Sequence, residues 1–131
     1  MNKAFELNYE WDIVAIRSEA RELAKEIGFD EIDQAKIVQS ISELARNVIQ
    51  HAEIGRIEIE KIDLEQKLGI RIRVSDRGPG IDNFEEMMRE QTNGIGETSG
   101  LHHVKLLMDD IVLVPIVEGS CVEVIKWLRN G

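Results

Sequence analysis

The apolar residues of this chain change their period near residue 52, and that change restricts the chain to folds that lay helices on a sheet. Ile13, Ile16, Ala20, Leu23, Ala24 and Ile27 recur at helical spacing up to Gly28. Ile37, Ile41, Leu44, Ala45, Val48 and Ala52 form a second helical stripe. Beyond it, Ile57 and Ile59 alternate with Arg56, Glu58 and Glu60, and Ile70, Ile72 and Val74 alternate with Arg71 and Arg73. A period of two puts every apolar side chain on one face of a strand and every charged one on the other. Helices with one apolar stripe and strands with one apolar face bury both by packing against each other.

The remaining segments complete the order. Phe5, Leu7 and Tyr9 alternate as a short first strand, Asp12 is placed to cap the first helix, and the second begins near residues 30–33. A charged turn at 63–69 joins two antiparallel strands. Residues 84–90 read as a short helix and 91–100 as a loop. Residues 101–110 read as a helix with Leu101, Val104, Leu107 and Met108 on one side. Residues 111–117 and 121–128 read as two last strands, turned at Glu118-Gly119, and Pro115 marks the first as an edge strand or a bulge. The expected fold is an α+β two-layer sandwich in β-α-α-β-β-α-β-β order, its sheet mixed but mostly antiparallel. With 131 residues, a single domain spanning 1–131 is expected.

The net charge of −9 argues against binding nucleic acid or an anionic membrane, both of which need clustered Lys and Arg. A nucleotide is not excluded, because local dipoles and one metal ion hold phosphates on an acidic protein. Cys121 is the only cysteine, so no intrachain disulfide or cysteine metal cluster forms. The first residues lack an apolar signal core, and no apolar run approaches the roughly 18 residues of a membrane span. These features predict a soluble cytoplasmic protein.

Three segments carry candidate chemistry. Glu43 and Asn47 stand one helical turn apart, on one face beside Leu44 and Val48, and His51 continues the row. An Asn carbonyl oxygen is a hard ligand suited to Mg²⁺, and a Glu one turn earlier can orient or deprotonate a hydroxyl. Taken alone, the pair also suits a plain solvated face. Asp76 ends a strand before Arg77-Gly78-Pro79-Gly80. A strand-end acid there can accept a hydrogen bond from an adenine amino group, although Pro79-Gly80 equally suits a type II turn. Gly94 to Gly100 precedes a helix, where free N–H groups favour phosphate. No Gly-Lys-Ser/Thr follows, so it is not a Walker loop. His102 and His103 are adjacent and point about 100° apart on a helix, which disfavours a shared metal. Trp11 and Trp127 read as core or interface anchors.

The order of these segments (helix acid and amide, strand-end Asp-x-Gly-x-Gly, glycine loop into a helix) resembles the GHKL ATPase superfamily. Glu10-Trp11-Asp12-Ile13-Val14-Ala15, Asp33-Gln34-Ala35, Ser42-Glu43-Leu44-Ala45-Arg46-Asn47, Val104-Lys105 and Ile125-Lys126-Trp127-Leu128-Arg129 are similar to the RsbT-type serine/threonine kinases of the bacterial stressosome. The resemblance spans nearly the whole chain. It implies the Bergerat-type fold, ATP and Mg²⁺ as cofactors, and phosphorylation of Ser or Thr on STAS-domain partners, with a downstream phosphatase among further partners. By it, Asn47 would bind Mg²⁺, Glu43 would be the catalytic carboxylate, and Arg46 would lie near the phosphates or position the helix. Asp76 would read adenine, with Gly78 and Gly80 shaping the base pocket. Gly96, Thr98, Ser99, Gly100 and Leu101 would border the triphosphate, and Ser120 would touch the adenine site through water. The family pattern has glycine where Thr98 stands and Pro-Gly where His102-His103 stand. The Thr98 Cβ either restricts the loop or its hydroxyl bonds a phosphate. Two rival readings are an anti-sigma factor that sequesters a sigma subunit, and a degenerate scaffold without nucleotide.

Overall fold

A computed structural model gives the fold and describes residues 2–51, 55–76, 100–114 and 119–129. The described elements are β1 (Asn2–Leu7), α1 (Glu10–Ile27), α2 (Glu31–His51), β2 (Gly55–Leu64), β3 (Lys67–Asp76), α3 (Gly100–Leu107), β4 (Asp110–Leu113) and β5 (Ser120–Trp127). Their order is the expected one. The strands form one sheet in the order β1-β2-β3-β5-β4, with every described pairing antiparallel. The architecture is α+β, with the helices packed together and α2 between α1 and α3. No helix among the described residues is long and apolar enough to cross a membrane.

Both helical stripes are buried as the spacing predicts, from Ile13 through Ile27 and from Ile37 through Val48. Ala52 lies outside the described residues. Asp12 is not the cap of α1 but its third residue. Its carboxylate accepts the N–H groups of Asn8 at 3.0 Å and Tyr9 at 2.9 Å, so the helix starts one turn earlier than expected. Gly28 ends α1 in the left-handed region (φ 117°), and the N–H groups of Gly28 and Phe29 both reach the Ala24 carbonyl. Asp30 caps α2 by accepting the Asp33 N–H at 2.8 Å.

The β2–β3 register runs from Gly55 opposite Asp76 to Leu64 opposite Lys67. The turn is therefore two residues, Glu65 and Gln66, and not the whole charged run 63–69. Both have positive φ, 51° and 69°, as in the primed turns whose twist matches the flanking strands. The α3 helix is also shorter than its apolar stripe suggested. Met108 donates the last helical bond to Val104, and Asp109 then donates to Ile125 of β5 at 2.9 Å, so the chain joins the sheet. The β4 strand is an edge, as Pro115 suggested, although residues 115–118 are outside the described part.

One sheet face meets the helices; the other carries Glu60, Arg71, Arg73 and Glu123, which pair across three strands. At one end of that face Trp127 lies over Gly69, where an added Cβ would come within 2.9 Å of the ring. Trp11 is instead 69% exposed, which removes it from the core. Cys121 is buried in β5 opposite Ser75, and burial pushes its thiol pKa up.

Asp109 takes the Trp127 N–H at 2.7 Å and the Arg129 guanidinium at 3.0 Å. Burial alone would raise its pKa, but these donors and the nearby Lys126 outweigh it and hold the carboxyl below its ordinary value. A depressed carboxylate stabilises the fold above its unfolded pKa of about 3.9 and ceases to do so as pH falls through the lower folded value. Asp109→Asn is thus less stable than the parent at pH 7, and the gap closes below about pH 4 in urea melts. Replacing Glu65-Gln66 by Asn-Gly removes the positive-φ cost and stabilises the protein by about 1 kcal/mol, read as a higher urea midpoint at unchanged slope.

Candidate active site

Glu43 and Asn47 are both partly buried, at the rim where the α2 stripe of Leu44 and Val48 turns toward solvent. The Glu43 carboxylate, 19% exposed at the side chain, accepts a hydrogen bond from Gln39 Nε2 at 3.1 Å. The Arg46 guanidinium lies 3.9 Å from the same oxygen and is half exposed. The acid is therefore steered by an amide one turn before it and a cation just after it. Ser42, in the same motif, returns its hydroxyl to the Val38 carbonyl at 3.1 Å and is committed to its own helix.

Asp76 closes β3 between Gly55 of β2 and Ser120 of β5. Gly55 explains how this strand end meets the helix. A methyl at position 55 would overlap the Val48 side chain, so the absence of a Cβ lets α2 settle onto the sheet there. Val48 follows Asn47 directly. The turns of α2 that carry the amide and the strand end that carries Asp76 thus converge on one edge of the sandwich.

The α3 helix lies on the other side of α2 from α1. Leu101 and Val104 are buried, and the helix packs along α2. Lys126 joins the far end of α3, at Leu107, to Asp33 in the first turn of α2. The two helices therefore run in opposite directions, and Gly100 points toward the later turns of α2. Gly78, Gly80, Gly96, Thr98 and Ser99 lie outside the described residues, as do the turn at 77–80, the helix expected at 84–90, most of the 91–100 loop and the side chains of His51 and Ser120. The His102 and His103 rings are 6.5 Å apart and tilted.

Three contributors were not singled out in the sequence. Gln39 sits four residues before Glu43, a spacing that does signal contact. Gly55 opens a strand, a position where glycine often marks a close approach. Lys126 reads as one more inward position of an alternating strand, with no local sign of a carbonyl partner. On the other flank of α2, an open cleft of about 240 Å³ is lined by Val14, Arg17, Ser18, Arg21 and Val38.

The model of the histidine kinase-like ATPase domain matches residues 5–126. Serine/threonine-protein kinase RsbT of Bacillus subtilis (strain 168) is 46% identical over 123 residues, covering 92% of both chains. Among solved structures, the RsbU and RsbW domains of a Mycobacterium tuberculosis protein superpose with a TM-score of 0.68 at 20% identity, over 99% of this chain and 33% of that one. The catalytic domain of histidine kinase ThkA superposes with a TM-score of 0.57 at 18% identity, over 95% of this chain and 97% of that one. At these identities the structures speak to the fold, whereas the family model and the sequence relative speak to descent. The chain belongs to the histidine kinase-like ATPase family.

Proposed function

We propose that the protein is a serine/threonine kinase that transfers the γ-phosphoryl group of Mg-ATP to a hydroxyl on a STAS-domain partner. The observation that supports the reading is the seating of Val48, next to Asn47, against Gly55, the residue paired with Asp76, in a chain 46% identical to a serine/threonine-protein kinase.

In this reading Asp76 accepts a hydrogen bond from the adenine amino group, and Gly78, Gly80 and Ser120 complete the base pocket. Gly96, Thr98, Ser99, Gly100 and Leu101 border the phosphates, with Gly100 opening α3 so that its first N–H groups face negative charge. The donor chemistry fits Mg²⁺, an ion that takes few protein oxygens and keeps waters and phosphate oxygens; Asn47 supplies a neutral amide oxygen. When bound, the ion neutralises charge on the phosphates. The partner hydroxyl forms the new P–O bond, the bridging oxygen leaves with ADP, and Glu43 takes the hydroxyl proton. Gln39 and Arg46 hold the Glu43 oxygen for that task. The protein contributes mainly positioning and charge, as the spread-out phosphoryl transition state requires.

The cleft beside α2 supports a protein substrate. Val38 on its wall precedes Glu43 by about 7.5 Å along the helix axis but on another side of α2, so a partner seated there has to reach around the helix to meet the acid. Arg17 and Arg21 line it without an ion pair among the described residues, on a chain of net charge −9. Val14 on its wall is exposed, and Tyr9 and Trp11 stack on each other at the start of the same helix. This combination suits a partner surface with an acidic edge and an apolar centre.

Asn47→Ala should lose Mg²⁺-dependent ATP binding in calorimetric titration. Glu43→Gln should keep ATP binding while transfer to a STAS partner falls about 10²- to 10⁴-fold. Normal phosphorylation by both variants would discard these roles. Arg17→Glu combined with Arg21→Glu should raise KM for the protein substrate about tenfold and leave the Kd for ATP unchanged; an unchanged KM would move the docking face elsewhere.

A further inference from the structure

Lys126 is the one charged residue among the buried polar residues described. It stands on the helix-facing side of β5, 6% exposed. Its ammonium donates to the Leu107 carbonyl at 2.9 Å and lies 3.9 Å from the Asp33 carboxylate. Leu107 is the last residue of α3, where carbonyls lack helical partners and the helix dipole favours a cation. Asp33 is in the first turn of α2, where the dipole favours an acid. One buried ammonium thus answers the negative end of one helix and an acid at the start of another. Burying a cation is costly unless it is paired, so the position needs both partners.

The strand that carries Lys126 is itself fixed. Trp127 donates its N–H to Asp109, its ring covers Gly69, and Leu128 donates to Leu68 at 2.8 Å. From this geometry we infer that Lys126 is a positioning residue for the phosphate end of the site. It locks the far ends of α2 and α3 together and so sets where Gly100 stands relative to Glu43 and Asn47. This rests on the nucleotide site proposed above. The adenine end depends on the pairing of Asp76 with Gly55 and Ser120, which Lys126 does not join. Loss of Lys126 should therefore be felt by phosphates and not by the base.

The test uses the full chain with Mg²⁺ and compares the affinities of ATP, ADP and adenosine. Lys126→Met keeps length and apolar bulk. It should weaken ATP and ADP about tenfold, lower kcat, and leave adenosine within about twofold. Asp33→Asn retains the Leu107 bond and should shift ATP in the same selective direction by about threefold, and it decides the matter if Lys126→Met does not fold. Equal weakening of all three ligands, in step with the thermal midpoint, would reduce Lys126 to a structural residue and overturn the inference. So would no change in any of them. Asp76→Asn separates the two levels. If it leaves adenosine binding intact, the nucleotide site itself is misassigned and this inference falls with it. If it abolishes adenosine binding while Lys126→Met shows no phosphate selectivity, only the inference about Lys126 fails.

Discussion

The rest of the structure depends on the seating of α2 on the sheet. Ile37, Ile41, Leu44, Ala45 and Val48 are 5% exposed or less, and they meet Ile57, Ile59, Ile70, Ile72 and Val74 from the strands. Truncating any one of the large members to alanine costs about 2–5 kcal/mol, a large part of the stability of a domain this size. The helix cannot roll without exposing that stripe. Residues on its rim inherit this rigidity, and Glu43 and Asn47 are rim residues. Their place in space is set by neighbours that have no chemistry of their own.

The same packing explains why a polar row can sit at the rim of α2 without harming the fold. Leu44 and Val48 bury the neighbouring face, and Gly55 lets the later turns of α2 approach the sheet without steric cost. The acid and the amide keep partial access to solvent, so neither pays the full desolvation of a buried polar group. Gln39 and Arg46 restrict the carboxylate without enclosing it. A helix rim beside a strand end offers one wall that is rigid and another that is open to a ligand.

Much of this was legible in the sequence because period is a physical quantity. A stripe every 3.6 residues and an alternation every two have to fold as they did, and the element order followed from them. The ends were less legible. Asp12 bonds backward to Tyr9 and Asn8 instead of capping its own helix, and α3 stops where Asp109 finds Ile125, a partner distant in sequence. The β2–β3 turn is tighter than its charged run because register with β3 carries both strands further than composition suggests. Glu43, Asn47 and Asp76 stand out by residue type and spacing only as candidates, and their roles come from the resemblance of the whole ordered pattern. Lys126 does not stand out, since its role depends on two helix ends that meet only in the folded chain. Of the residues expected to border the phosphates, Gly96, Thr98 and Ser99 fall outside the described residues, so their reading rests on the sequence.

Cys121 sits one position from the end of β5 that pairs with Asp76, with its sulfur buried and its thiolate disfavoured. A thiol in that state resists alkylating reagents while the sheet is closed. Since no other cysteine exists in the chain, labelling reports the motion that uncovers this one side chain. The protein thus carries an intrinsic reporter of motion at the end of the sheet that holds Asp76. Its labelling rate with and without added nucleotide would time how far binding quiets that end of the sheet.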